Sequence, residues 1–169
     1  MTKTIKRRRQ IKTVTACIML LALSVLCIAC GSKENESEAL TGSLNDMLDT
    51  IYETADLSEG FRSGMSSFET YEITDELEIS ILGTDEITYT EGIASIPMIS
   101  PNAYQCVLLR VNEDDVDTVK QQLKDNADLN KWICVSAETM LIESRGNVIF
   151  FVMGDQDTVY ALNSAFQNL

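Results

Sequence analysis

Six consecutive apolar residues, Val148-Ile149-Phe150-Phe151-Val152-Met153, constrain the fold of this 169-residue chain more than any other stretch. They follow Ser144-Arg145-Gly146-Asn147, a tight-turn sequence in which Gly146 can take positive φ. A strand with one wet face alternates apolar and polar side chains, so an unbroken apolar run asks for cover on both faces of its sheet. An N-terminal helix, a loop or a second copy of the chain can supply the second cover. A homodimer is therefore one expected arrangement.

The elements around this strand are read from periodicity. Leu40, Leu44, Met47, Leu48, Ile51, Tyr52 and Ala55 recur on one helical face, with Ser43 as N-cap, Asp46 three residues on and Gly60 as the stop. Residues 60–67, with two glycines and three serines, read as a loop. Thr74 to Gly83 reads as a short capped helix ended by glycine, although its Leu77, Ile79, Ile81 alternation is also strand-like. Alternation and β-branched content predict strands over Glu86–Ser95 and Ala103–Val111, and a third over Thr139–Glu143. Between them, Asn112 caps a helix carrying Val116, Val119, Leu123 and Ala127. Asp155 caps a closing helix carrying Val159, Leu162, Ala165, Phe166 and Leu169. The predicted fold is thus α+β: a two-layer sandwich with an antiparallel four-stranded sheet in the order ββαββα, its helices on one face, plus an additional N-terminal helix.

The first thirty residues set the address. Lys3, Lys6, Arg7, Arg8, Arg9 and Lys12 precede an uncharged run from Thr13 to Ala29, followed by Cys30-Gly31. A basic end, a short apolar segment and small residues before a cut define an export signal. The segment is shorter than the roughly 20 apolar residues a spanning helix needs. Ala29-Cys30 resembles the lipobox of bacterial lipoproteins, in which cleavage before the cysteine leaves a thiol that is acylated. Leu stands at position 26 and Cys27 takes the place where such motifs usually carry leucine. The expected organisation is a signal peptide over 1–29, a lipidated Cys30 and polar tether over 30–39, and one α+β domain over 40–169. The domain would then sit on the extracytoplasmic face of the cell membrane, held by its acyl chains.

Cleavage removes six basic residues and no acidic ones. The 13 Lys and Arg become 7 against 26 Asp and Glu, which moves the formal charge from −13 to −19. Such a surface repels nucleic acid and anionic head groups. The membrane is met through Cys30, and a protein or envelope component is the expected further partner.

Of five cysteines, Cys106 and Cys134 remain for the folded domain. Outside the cytoplasm they can pair as a disulfide or stay separate thiols, and their spacing does not choose. The chain has no histidine, which excludes Ser-His-Asp and Cys-His catalysis and His-ligated zinc. No glycine-rich phosphate loop occurs. No catalytic residue, cofactor or metal site is assigned.

Asp114, Asp115 and Asp117 are the cation candidates, with Asp155 and Asp157 as a smaller cluster. Both sets sit where a helix begins, a position in which carboxylates meet the helix dipole without any metal. Trp132, beside Lys131 in an irregular segment, marks either a contact surface or a half-buried side chain. Met98, Met140 and Met153 stand singly and read as gap-filling residues.

From about Tyr71 to Leu169 the chain resembles the small Gram-positive lipoproteins that carry the domain of unknown function family 4358. The residues that carry the likeness are Tyr104-Gln105-Cys106-Val107-Leu108-Leu109-Arg110-Val111, Asp114-Asp115-Val116-Asp117-Thr118-Val119-Lys120, Gly146-Asn147-Val148-Ile149-Phe150-Phe151-Val152 and Ala165-Phe166. The resemblance implies the lipoprotein address and a compact fold, and it brings no activity. Binding rather than catalysis is the expected function. A carboxylate-dependent envelope hydrolase and an accessory ligand- or cation-binding subunit of a transporter are the alternatives.

Overall fold

In the computed structural model, which describes residues 39–98 and 102–169, every residue of the strand Val148–Gly154 is buried. This strand, β5, lies between β3 (Gln105–Arg110) and β4 (Thr139–Arg145). β2 (Glu91–Pro97) and β1 (Phe68–Glu72) follow on the far side of β3, giving a five-stranded sheet in the order β1-β2-β3-β5-β4 with every neighbouring pair antiparallel. Gly146, at φ 53, makes the turn between β4 and β5. The expected signal peptide, with Ala29, Cys30 and the expected tether up to residue 38, lies outside the described residues.

The helices divide between the two faces. α1 (Leu44–Thr54) and α5 (Gln156–Gln167) pack on the face that carries Ile93, Tyr104, Cys106, Leu108, Val148, Phe150 and Val152. α3 (Glu78–Leu82) and α4 (Val116–Asn126) pack on the other, over Ala94, Val107, Leu109, Ile149, Phe151 and Met153. Alternate residues of one strand point to opposite faces, so each side of β5 meets its own core. Phe150 stacks on Phe166 with ring centroids 4.9 Å apart.

Two expectations are corrected here. The sheet has five strands rather than four, and the domain has three layers rather than two, because α4 and α5 leave the sheet on opposite sides. The second cover that β5 requires comes from the chain itself.

Local details separate what capping determined from what pairing determined. The Ser43 hydroxyl accepts from Asp46 N at 3.1 Å, and Asp155 Oδ1 accepts from Thr158 N at 3.0 Å, as those caps predicted. α1 stops at Thr54, before the expected glycine. Residues 60–67 are no loop: α2 (Glu59–Gly64) starts on Ser58, whose hydroxyl accepts from Phe61 N, and a 3₁₀ turn (Met65–Ser67) follows. Phe61 sets its ring edge-on to Phe68 and Tyr104, at 5.3 and 5.1 Å, which gives this small helix its place in the core.

The strand expected over Glu86–Ser95 is displaced to Glu91–Pro97. Residues 87 and 89 are drawn instead toward α3: Ile87 is buried in the core on that face, and the Tyr89 hydroxyl donates to Ile73 O at 3.2 Å or Glu78 Oε1 at 2.8 Å. Among the described residues, no helix is long and apolar enough to cross a membrane.

Candidate functional site

The start of β3 and the end of β5 meet at one end of the sheet, where Gln105 pairs with Met153. Gln105 has 0% of its surface exposed, although it stands on a core face. Its amide is satisfied on both sides: Nε2 donates to Ile81 O at 3.1 Å, and Oε1 accepts from the Lys131 ammonium. Lys131 also donates to Ser80 O at 2.6 Å. The lysine as a whole residue is exposed, but its charged end reaches the carbonyl of Ser80 on α3 and the amide of Gln105 on β3. Withdrawal from water lowers its pKa to about 8, against a smaller opposite effect of Asp128.

The segment that supplies Lys131 is a closed loop between α4 and β4. Ala137 N donates to Leu129 O at 2.9 Å across its neck, Asp128 Oδ1 accepts from Asn130 N at 2.8 Å, and Ser136 donates to Asn130 Oδ1 at 2.8 Å. With its ends tied, the loop pushes its tip outward. Ile133 is 92% exposed and Cys134 is exposed at φ 68, the one positive φ of a non-glycine among the described residues. Trp132 is half-buried against the core, with the Lys131 ammonium 5.2 Å from its ring centroid. Ile79 on α3, 63% exposed, lies across a cleft of about 380 Å³ that Lys131, Trp132, Ile81 and Met153 also line.

Gly83 shapes this cleft. It ends α3 at φ 86, and a side chain there would collide with the Asn126 carbonyl at the end of α4.

On the opposite face of the same sheet end, a second cavity of about 400 Å³ is lined by Ser58, Tyr104, Glu138, Asp155 and Thr158. Its carboxylates cap α5: Glu138 Oε2 accepts from Gln156 N at 3.2 Å, and Asp155 from Thr158 N. Deeper in that core, the Tyr52 and Tyr104 hydroxyls lie 3.0 Å apart, with Ser95 bonded to Tyr52 and the Cys106 thiol to Tyr104. Burial raises all three acids, and the Cys106 thiol is pushed up to about 12.

The residues singled out from sequence scatter. Cys106 and Cys134 are free thiols in separate places, the first buried under α1 and α5 and the second on the outer loop. Asp114, Asp115 and Asp117 fall in the 3₁₀ turn Glu113–Asp115 and the first turn of α4. Asp115 Oδ2 there accepts from Asn112 Nδ2 at 2.9 Å. No group of three or more His, Cys, Asp or Glu side chains among the described residues is arranged to hold a metal. Trp132 is half-buried, and it and Lys131 both line the candidate cleft. Gln105 escaped notice because a single glutamine inside an apolar strand carries no sequence signal except its being out of place there.

Compared with models of known protein families, with curated proteins and with solved structures, the chain finds no match. The family resemblance described above therefore rests on its quoted residues alone.

Proposed function

We propose that the chain is a lipid-anchored extracytoplasmic domain that acts by binding a protein or envelope component through the tip of the α4–β4 loop. The observation that carries this reading is Ile133, which stands 92% exposed on a loop whose neck is held by hydrogen bonds. An isolated exposed aliphatic side chain means little, but Ile133 follows directly on the half-buried Trp132, which lines a cleft together with the exposed Ile79. The expected mature chain otherwise carries 26 acidic residues against 7 basic ones.

The position fits the anchor. Arg110, at the far end of β3, donates to the carbonyls of Leu40 and Gly42, both at 2.6 Å, and pairs with Glu91 at 3.1 Å. The chain therefore joins the sheet at the end opposite Gln105 and the loop, about 17 Å away along the strand. Lipid on Cys30 would hold the first end near the membrane and leave the loop free to meet a partner. The lipobox-like Ala29-Cys30 and the likeness to small lipoproteins support that address.

A photocrosslinking residue placed at Ile133 in intact cells should give a discrete adduct that the same residue at Asp49, on the exposed side of α1, does not. The Cys30→Ala chain should lose both labelled palmitate and the adduct. Identical adduct patterns at positions 133 and 49 would refute the binding surface, and palmitate on Cys30→Ala would refute the anchor.

A further inference from the structure

The Lys131 ammonium presents an unusual charge arrangement. Acids outnumber bases two to one in the chain, yet both ion pairs found among the described residues, Arg110–Glu91 and Lys120–Glu143, leave Lys131 out. It is held instead by two neutral acceptors, Ser80 O and Gln105 Oε1. An ammonium has three N–H groups, so these two bonds leave one donor for another partner. Asp128 lines the same cleft with its Oδ1 holding Asn130, and its charge acts on Lys131 from a distance without forming an ion pair with it.

The cation is also fixed in place before any ligand arrives. Gln105 is fully buried, and its Nε2 bond to Ile81 O leaves Oε1 turned toward Lys131. A flexible surface lysine would have to be ordered on binding, whereas here that cost is met by folding. The cleft it serves has about 380 Å³, within the usual range for small-molecule sites. Ile79, Ile81, Trp132 and Met153 give it apolar walls.

We propose that this cleft binds a small organic monocarboxylate, its head group on the Lys131 ammonium and its apolar body against Trp132, Ile79 and Met153. One cation without an arginine fork suits one negative charge, and the acidity of the rest of the chain disfavours dianions such as phosphate esters. The inference goes beyond the partner-binding reading and adds a ligand class to the cleft beside the same loop.

Trp132 is the single tryptophan, so its emission reports the site directly. The full-length chain at pH 7 is titrated with hexanoate, hexan-1-ol and hexylamine. Hexanoate should give a saturable change, the alcohol at least about tenfold weaker binding and the amine none. Lys131→Met should weaken hexanoate at least about tenfold and hexan-1-ol far less, so that the preference for the acid over the alcohol is lost. Ile79→Asp, at an exposed position that does not threaten the fold, removes an apolar contact both ligands share and adds a carboxylate at the rim, so it should weaken hexanoate several-fold more than hexan-1-ol.

No saturable response to hexanoate, or equal affinity for acid and alcohol, would overturn the proposal, as would unaltered hexanoate binding by Ile79→Asp. Crosslinking from Ile133 is read without any carboxylate, so loss of one reading leaves the other standing.

Discussion

Gly83 does two things that no other residue type can do at its position. Its φ of 86 ends α3 in the left-handed region, and the missing Cβ lets the Asn126 carbonyl of α4 close against it. Gly83→Ala should therefore cost about 2–5 kcal/mol in urea unfolding, combining a left-handed penalty with overpacking. Gly64→Ala is the control. That glycine has helical φ of −77 and open space around it, so alanine should be neutral or stabilise by up to about 1 kcal/mol. The role of Gly83 as a helix stop was legible in the chain, because a glycine after a capped turn is a local signal. Its contact with a residue 43 positions away was not. The same holds at the site, where Lys131-Trp132 stood out in sequence while Gln105, which orients the ammonium, did not.

At the scale of elements, β5 tests the layering. In a two-layer domain one of the neighbours Phe150 and Phe151 would face solvent, and its loss would be cheap. Both are fully buried, one under α5 and the other under α4. Phe150→Ala and Phe151→Ala should each lower stability by about 3–5 kcal/mol, measured by denaturant titration, and a large asymmetry between them would contradict the three layers.

The elements that sequence reading located best were α1 and α5, with their own caps and apolar periodicity, α4, by periodicity alone since the expected Asn112 cap makes no side-chain cap bond, and β5, by its unbroken apolar run. β1 escaped because Phe68-Glu69-Thr70-Tyr71-Glu72 is a short, half-wet edge whose pairing with β2 makes it a strand. α2 escaped because its glycines and serines suggested a loop, whereas the Ser58 cap and the packing of Phe61 make it helical.

For the whole domain, buried acids set the response to alkali. Cys106 has its pKa raised by burial from 9.0 to about 12, and Tyr52 and Tyr104 are raised above 10.0 in the same core. Each stays protonated in the folded state at a pH where the unfolded chain ionises. Stability is therefore lost as pH rises above 9 for the thiol and above 10 for the phenols, by up to about 1.4 kcal/mol per pH unit and group. Lys131 acts in the opposite direction between about 8 and 10.5, because the unfolded chain there binds the proton more tightly.

These three groups, with Tyr89 raised as well by burial and by its bond to Glu78, outweigh Lys131 and predict a net fall between pH 10 and 12 in urea midpoints. Cys106→Ala should remove the part of that fall that begins at pH 9. A wild-type midpoint that stayed level to pH 12 would refute the buried cluster.

The sequence by itself determined the α+β class, the caps at Ser43 and Asp155, the turn at Gly146 and the need of β5 for cover on two sides. Each of these follows from interactions within a few residues or from the burial demand of one strand. Only the tertiary structure decided that α4 and α5 take opposite faces, that Cys106 and Cys134 stay apart, and that Gln105, Ser80, Lys131 and Trp132 meet at one end of the sheet. Those outcomes depend on strand order and on contacts between distant residues, where the free energy belongs to the pairing and no single segment carries it.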